Sequence, residues 1–340
     1  MRRMDSNYKY LVCVKCMTFN QHAYIEDAMN GFCMQETAFP FVCVIVDDAS
    51  TDGEQDVIKA YIQTHFDQLE SDETNDYFMV FGQHKTNKNC WFVVFYLKYN
   101  HYSIKKSKDV YFSIWQDKSK YIAYCEGDDY WIDANKLQLQ VDFLDKNDDY
   151  GMCYMKVKRY YQEDKRFASN TFGEMINGFE DLLINGNRIP TLTVCVRREL
   201  WEKYGDEIWP SKRGWLMGDY PMWLYFSHEA KIKFIDRVSG VYRVLYNSAS
   251  HIIDKNKLEA FIISYYSIKL FFKDKYNVQN NNSINFDYHF YSKNREECVK
   301  IDCTNLSLKY RIKSICCKSA ILWRFAHWFS LFKRTMRKPY

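Results

Sequence analysis

The sequence predicts an α/β fold with a mixed, mostly parallel central sheet flanked by helices and followed by a C-terminal helical appendage. Three observations lead there. Two short apolar runs, YLVCVKCM (Tyr10 to Met17) and FVCVIV (Phe41 to Val46), are bounded by polar turn residues, as buried parallel strands are. Between them, His22 to Met34 reads as a helix, giving the strand, helix, strand unit of a parallel sheet. A third run, Lys120 to Cys125, leads directly into Glu126, Gly127, Asp128 and Asp129. Carboxylates are thus placed at a strand's carboxyl end, where open α/β sheets bind ligands.

The remaining elements follow in order. A helix is predicted from Asp56 to about Leu69, after the turn at Asp52 and Gly53, and a strand from Tyr77 to Gln83. Residues 84 to 119 lack clean periodicity: Trp91 to Tyr102 is aromatic-rich and Ser103 to Lys108 basic, so an insertion with helical parts is expected. Asn135 to Leu144 has helical spacing, with Lys136, Leu137, Leu139, Val141 and Phe143 as ordinary amphipathic positions. Ile189 to Arg197 reads as a strand, Leu216 to Glu229 as a loop entering a helix, and Ile232 to Val241 as a strand pair. Leu258 to Tyr276 is helical, and the Asn-rich stretch Gln279 to Asn285 reads as a linker. The division expected is one α/β domain over 1–255 and a helical region over 256–340.

Composition bounds the chemistry. At 47% hydrophobic and 26% charged the 340-residue chain is globular, and a net charge of +4 does not call for nucleic acid. The twelve cysteines include Cys13, Cys43, Cys125 and Cys195 inside apolar runs, the setting of reduced, buried thiols. Cys13 and Cys16 have redox-motif spacing, but residues three apart on a strand face opposite ways. Met1, Arg2, Arg3, Met4 and Asp5 are not followed by an apolar stretch, so a cytoplasmic protein is expected.

Two acidic clusters carry the candidate chemistry. Asp47, Asp48, Ala49, Ser50, Thr51, Asp52 and Gly53 follow the second strand, either as a solvated, helix-capping turn or as a binding loop. A calcium loop starting at Asp48 would need a carboxylate at its twelfth position, which is Lys59. Neither G-x-G-x-x-G nor G-K-[ST] occurs, which excludes those dinucleotide and phosphate loops. In the second cluster, adjacent Asp128 and Asp129 repel unless water or a cation screens them, and a hard divalent ion suits oxygen ligands.

Taken in order, Thr18-Phe19-Asn20, VDDASTDG (Val46 to Gly53), EGDDYW (Glu126 to Trp131), GDYPMW (Gly218 to Trp223) and Tyr242-Arg243 before Asn247 to Ser250 resemble the bacterial family 2 glycosyltransferases over roughly residues 8 to 252. The resemblance implies a GT-A fold and transfer of a sugar from a nucleotide diphosphate, as a UDP-sugar, to an acceptor hydroxyl by one inverting displacement. It places Thr18, Phe19, Asn20, Asp47 and Asp48 on the nucleotide, with Asp48 at the uracil ring and Asp128 at the ribose or sugar. It places Asp129 on a divalent cation, Mn²⁺ or Mg²⁺, at the diphosphate. Asp219 would be the catalytic base, a helix N-cap, or both, and Arg243 a phosphate contact or a surface ion pair. The motif here is Glu-Gly-Asp-Asp and not a strict Asp-x-Asp, which leaves the duty of Glu126 open. The implied partners are a nucleotide-sugar donor and a glycan or lipid-linked acceptor of bacterial surface polysaccharide or lipopolysaccharide. Two other readings remain: a non-catalytic nucleotide-sugar-binding scaffold, and a phosphohydrolase, for which adjacent Asp47 and Asp48 lack the usual alternate spacing.

No acidic residue follows Asp302, and nine Lys or Arg lie between Lys309 and Lys338 among Ile315, Ile321, Leu322, Trp323, Phe325, Trp328, Phe329, Leu331 and Phe332. Such a mixture fits an interfacial helix on an anionic membrane, or a helix packed on the protein with one solvated face.

Overall fold

The computed structural model describes residues 8–246, 254–279 and 281–335; the Asn247 to Ser250 motif, Met1 to Asp5, and Arg337 and Lys338 lie outside them. The described elements are β1 (Tyr10–Thr18), α1 (Ile25–Cys33), β2 (Phe41–Asp47), α2 (Glu54–His65), β3 (Phe66–Glu73), β4 (Tyr77–His84), β5 (Cys90–Leu97) and α3 (Asp109–Gln116). They continue with β6 (Ser119–Tyr124), β7 (Tyr130–Trp131), α4 (Lys136–Lys146), β8 (Tyr150–Tyr161), β9 (Arg166–Phe172), α5 (Gly178–Asn185), β10 (Cys195–Arg197), α6 (Arg198–Ile208), α7 (Asp219–Glu229) and β11 (Lys231–Val244). Last come α8 (Lys255–Lys275), α9 (Asn282–Tyr291), α10 (Arg295–Lys300), α11 (Leu308–Cys317) and α12 (Ala320–Thr335).

These form two compact units. The first comprises the described parts of Met1–Ile176, Arg188–Lys203 and Glu229–Val244; the second, those of Asn177–Asn187, Tyr204–His228 and Leu245–Tyr340. The second unit is therefore not a simple C-terminal piece, since two earlier stretches belong to it.

All eleven strands lie in the first unit as one sheet, ordered β3-β4-β5-β2-β1-β6-β10-β8-β11-β7 with β9 beside β8. The central four, β5-β2-β1-β6, are parallel, with Thr18 opposite Asp47 and Val12 opposite Tyr121. Antiparallel pairs surround them, along with one further parallel pair, β8 with β11. Side-chain alternation explains how both faces are covered. Val12, Val14 and Cys16 of β1 and Phe41, Cys43 and Ile45 of β2 pack with Ile25, Met29 and Phe32 of α1 and Leu137, Val141 and Leu144 of α4. Cys13, Val42, Val44 and Val46 pack the other way, against Tyr111, Phe112 and Trp115 of α3. Each such fully buried large side chain contributes about 1.5–3 kcal/mol. Cys13 and Cys16 thus do face opposite ways, and all twelve cysteines are free thiols.

Several expectations change. Residues 90–97, inside the supposed insertion, are β5, a buried strand of the parallel core. CWFVVFYL is apolar throughout because helices cover both faces, so it shows no alternation. The helix expected to reach Leu69 stops at His65, and Phe66–Glu73 turns back as β3 against β4. Ile232 to Val241 lies in one long strand with register shifts near Phe234 and Val238, not in a strand pair. The strand expected over Ile189 to Arg197 is only its last three residues, after a 3₁₀ turn at Thr191–Thr193. Lys136 is fully buried and not amphipathic surface: its Nζ donates to Gln140 Oε1 at 2.8 Å and lies 4.1 Å from the Trp131 ring centroid.

The second unit is helical. Ile262 and Tyr266 of α8, Phe286, Phe290 and Tyr291 of α9, and Leu331 of α12 share its core. The expected linker ends early, because Asn282 already begins α9. Among the described residues no helix is long and apolar enough to cross a membrane.

Candidate active site

The carboxyl ends of β1, β2 and β6 meet at one rim. The Thr18 carbonyl accepts the Asp48 N–H at 3.0 Å, while the neighbouring Met17 carbonyl accepts the Gly127 N–H at 3.1 Å. One strand end therefore fixes both acidic motifs. Gly127 is required by that approach: a Cβ there would run into Thr18 Oγ1 and Gln21 Oε1.

The loop after β1 is laced to the loop after β2. Thr51 N–H donates to Asn20 Oδ1 at 2.8 Å, Asn20 N–H to Ser50 Oγ at 2.9 Å, and His22 N–H to Asp52 Oδ2 at 3.0 Å. Asn20 and Ala49 both hold left-handed backbone, φ 53° and 61°, a strain that non-glycine residues keep where surrounding bonds over-determine them. Glu54, fully buried, is the hub. It accepts from the Thr18 hydroxyl, the Gln21 N–H at 2.8 Å and the Ser50 hydroxyl at 2.8 Å. Burial raises its carboxyl pKa above the ordinary value against those bonds. The sequence reading missed Glu54, although Thr51-x-x-Glu54 is a capping-box pattern that could have flagged it.

Asp47 and Asp48 behave differently. Asp47 is fully buried; its Oδ1 accepts from Ser50 N–H and Gln55 Nε2, and its Oδ2 has no hydrogen-bond partner. Burial pushes its pKa up. Asp48 is also buried, but its Oδ1 accepts the His101 N–H at 2.7 Å, and its Oδ2 accepts the Tyr102 N–H at 3.1 Å and Lys108 Nζ at 2.9 Å. Burial opposes its charge, yet Lys108 and the two amides outweigh burial and hold its pKa below the ordinary value. Asp48 thereby clasps the 98–108 loop.

Asp128 and Asp129 sit on the β6–β7 connection. Asp129 Oδ1 accepts the Arg243 N–H at 2.7 Å, and no hydrogen bond reaches its Oδ2 from the described residues. Burial and then the Asp128 charge raise the Asp129 pKa well above normal, and burial raises that of Asp128. Arg243 is only 5% exposed, so it is not a surface ion pair. Its Nε donates to the Asp128 carbonyl at 2.8 Å, Nη1 to Gln162 Oε1 at 2.8 Å and Nη2 to Asp27 Oδ2 at 2.6 Å, between the rings of Tyr24 and Tyr130. These bonds make it a positioning residue for the acidic turn. Glu126 and Phe19 are exposed.

Among the described residues no three His, Cys, Asp or Glu side chains converge as a ready metal cage. The donor set that exists, two adjacent carboxyls with an oxygen left over, fits a hard divalent cation that completes its shell with phosphate oxygens and water. Asp219 belongs to the second unit, as the first residue of α7. Its Oδ1 accepts the Tyr220 N–H at 2.7 Å and its Oδ2 the Asn187 Nδ2 at 3.0 Å. Trp131 is buried with its Nε1–H on the Leu192 carbonyl, and Trp215 packs on Phe271; both serve packing.

Compared with known proteins, the chain matches no family model. It is 30% identical over 186 residues to uncharacterized proteins of Mycobacterium tuberculosis and Mycobacterium bovis, a match covering 54% of this chain and 46% of each relative. The chain thus spans about half the length of those relatives. Among solved structures it is similar to S. aureus TarS 1–349 in complex with UDP, with a TM-score of 0.48, 15% identity, and coverage of 90% of this chain and 79% of that one. It is also similar to the mannosyltransferase PcManGT from Pyrobaculum calidifontis in complex with GDP-Man and Mn²⁺, with a TM-score of 0.49, 13% identity, and coverage of 95% and 88%. At those scores and identities, what the chain does has to be argued from its own residues.

Proposed function

We propose that this protein is a GT-A glycosyltransferase that moves a sugar from a nucleotide diphosphate, a UDP-sugar, to an acceptor hydroxyl by one inverting displacement. A single observation carries the reading: the Met17–Thr18 strand end hydrogen-bonds both Asp48 and Gly127, bringing the VDDASTDG and EGDDYW motifs to one rim of the parallel sheet. That rim is where open α/β sheets take ligands.

The chain's own groups divide the work. The loops at Thr18–Asn20 and Asp47–Asp52, tied through Glu54, offer a rigid edge for the nucleoside. Asp129, aimed by the Arg243 main chain, and Asp128 would hold Mn²⁺ or Mg²⁺. When bound, that ion would neutralise the charge developing on the leaving diphosphate. Asp219 would take the proton of the acceptor hydroxyl, and Asn187, on its Oδ2, would orient the carboxylate. The acceptor we assign is a glycan or lipid-linked glycan of bacterial surface polysaccharide.

A thermal-shift screen of nucleotide sugars with and without Mn²⁺ tests this. One donor should stabilise the protein strongly only with metal, since ligands that bind the folded state shift the unfolding equilibrium. Asp129→Asn should abolish that metal-dependent shift. Asp219→Asn should retain it while losing transfer by about 100-fold or more, the usual contribution of a general base. Stabilisation with neither donor hydrolysis nor transfer would leave a binding scaffold; phosphate release from simple esters would replace the reading with a hydrolase.

A further inference from the structure

The C-terminal helices present a surface that transfer does not use. α12 has two faces. Trp323, Ala326, His327 and Leu331 turn into the second unit's core with Phe290 and Tyr291, and the Phe290 carbonyl accepts from His327 Nδ1, 3.2 Å away. Ile321, Leu322, Phe325, Trp328, Phe329 and Phe332 are all exposed, Ile321 by 80% and Phe325 by 66%. At about 100° per residue these six occupy one arc about 120° wide, and Arg324 and Lys333 fall just beyond its two edges. The arc is ordered: Phe325 stacks with Phe329 and Trp328 with Phe332. α11, two residues earlier, adds exposed Leu308, Ile312 and Ile315.

Charge identifies the occupant. Lys309, Arg311, Lys318, Arg324 and Lys333 are exposed on α11, α12 and the turn between them, and no acidic residue occurs after Asp302. Lys313 and Arg334 are instead turned inward: Lys313 pairs with Asp287 at 3.0 Å, and Arg334 lies over Tyr291. A protein partner would normally be met by both signs of charge. An apolar aromatic arc edged by cations, with nothing acidic in it, complements lipid tails beneath anionic headgroups: the rings enter the acyl boundary while Arg324 and Lys333 extend to the phosphates.

We propose that the α11–α12 surface docks on an anionic lipid bilayer, lying in its interface. The inference is independent of the transferase reading, because it uses only second-unit residues other than Asp219. Co-flotation of the full chain with phosphatidylcholine vesicles, with and without phosphatidylglycerol, tests it. The protein should prefer the anionic vesicles by at least about tenfold, and raised salt should erode the preference, as each basic residue near the surface contributes about fivefold and is screened. The exposed pair Phe325→Glu and Trp328→Glu should keep the wild-type melting temperature and lose binding by about tenfold or more. The pair Arg324→Glu and Lys333→Glu should lose the preference for anionic lipid. If either double variant fails to fold, Phe332→Ser and the salt dependence of the unaltered chain decide. Equal binding to neutral vesicles, binding to neither, or a dimer that dissociates on Phe325→Glu with Trp328→Glu would overturn the proposal, the last by giving the surface to a second copy.

Discussion

Asp48 and Asp129 occupy similar places, each buried just past the end of a central strand, and their electrostatics are opposite. Asp48 finds its countercharge within the chain: Lys108 and the amides of His101 and Tyr102 hold its pKa down. Asp129 has one backbone N–H and a like-charged neighbour, and its pKa is driven up. The difference separates a carboxylate whose charge is balanced within the chain from one whose charge is poorly balanced. A compensated acid stabilises its own loop, whereas at Asp128 and Asp129 burial and mutual repulsion exceed what Arg243 offsets, which is what the proposed cation would relieve. Arg243 sharpens the point, since it lies at the acidic turn but spends its guanidinium on the Asp128 carbonyl, Gln162 and Asp27.

The strongest way to break the comparison is Arg243→Ala. Removing the guanidinium leaves the Asp128 carbonyl and Gln162 Oε1 without their donor, at about 1–3 kcal/mol each, while Asp27, half exposed, returns to water. The variant should show that loss in denaturant unfolding, and metal-dependent donor binding should fall with it. Arg243→Lys should recover only part, as an ammonium cannot span Asp27, Gln162 and the Asp128 carbonyl together. If Arg243→Ala were as stable as the wild type, the acidic turn would not depend on this clamp.

Lys136 is the cationic mirror of Asp129. It is fully buried, donates to Gln140 and lies over Trp131, and burial lowers its pKa from an ordinary 10.5 to about 8. The folded value lies below the unfolded one, so between about pH 8 and 10.5 the cost of burying Lys136 fades as pH rises, a contribution of roughly 3 kcal/mol over that window, set against the opposite contributions of buried thiols such as Cys13 and Cys43, whose pKa values burial raises. Lys136→Met lacks this contribution, so the stability difference between variant and wild type should fall by that amount as pH rises across the window. At neutral pH the gain from removing the buried charge is partly offset by about 1–3 kcal/mol for leaving Gln140 Oε1 without its donor. Denaturant titrations of both proteins at several pH values would read both; a difference between them that stays flat across the window would mean that Trp131 and Gln140 fully compensate the lysine.

The sequence disclosed the acidic rim because its signals are local: apolar runs ending in carboxylates mark strand ends, and Gly127 and Gly53 mark the tight places beside them. It concealed what is non-local or lacks period. β5 was missed because Trp91 to Leu97 is apolar on both faces, and β3 because FDQLESDE is polar and paired on one side. Lys136 was misread because helical spacing does not say that its position faces Trp131. Lys108 is sixty positions from Asp48, so nothing near either residue announced their pairing. Arg243 was named, but its burial between Tyr24 and Tyr130 comes from the path of β11 past β7 and is visible only once the chain is folded.

The smallest effect is expected at the compensated site, and for that reason it is the cleaner test. Lys108→Ala removes the cation that donates to Asp48 Oδ2 but leaves the His101 and Tyr102 amides in place, and the lysine side chain is itself 16% exposed. The cost should be about 1–2 kcal/mol, below that of losing a fully buried partner. Since a lowered folded pKa stabilises above the ordinary carboxylate range and is lost as pH falls through the folded value, the variant should also lose part of the wild-type acid tolerance. Hydrogen exchange would locate the change: the amides of 98–108 should exchange faster while those of β1, β2 and β6 keep their protection. Were the whole rim to loosen instead, Asp48 would be bracing the candidate active site and not only its own loop.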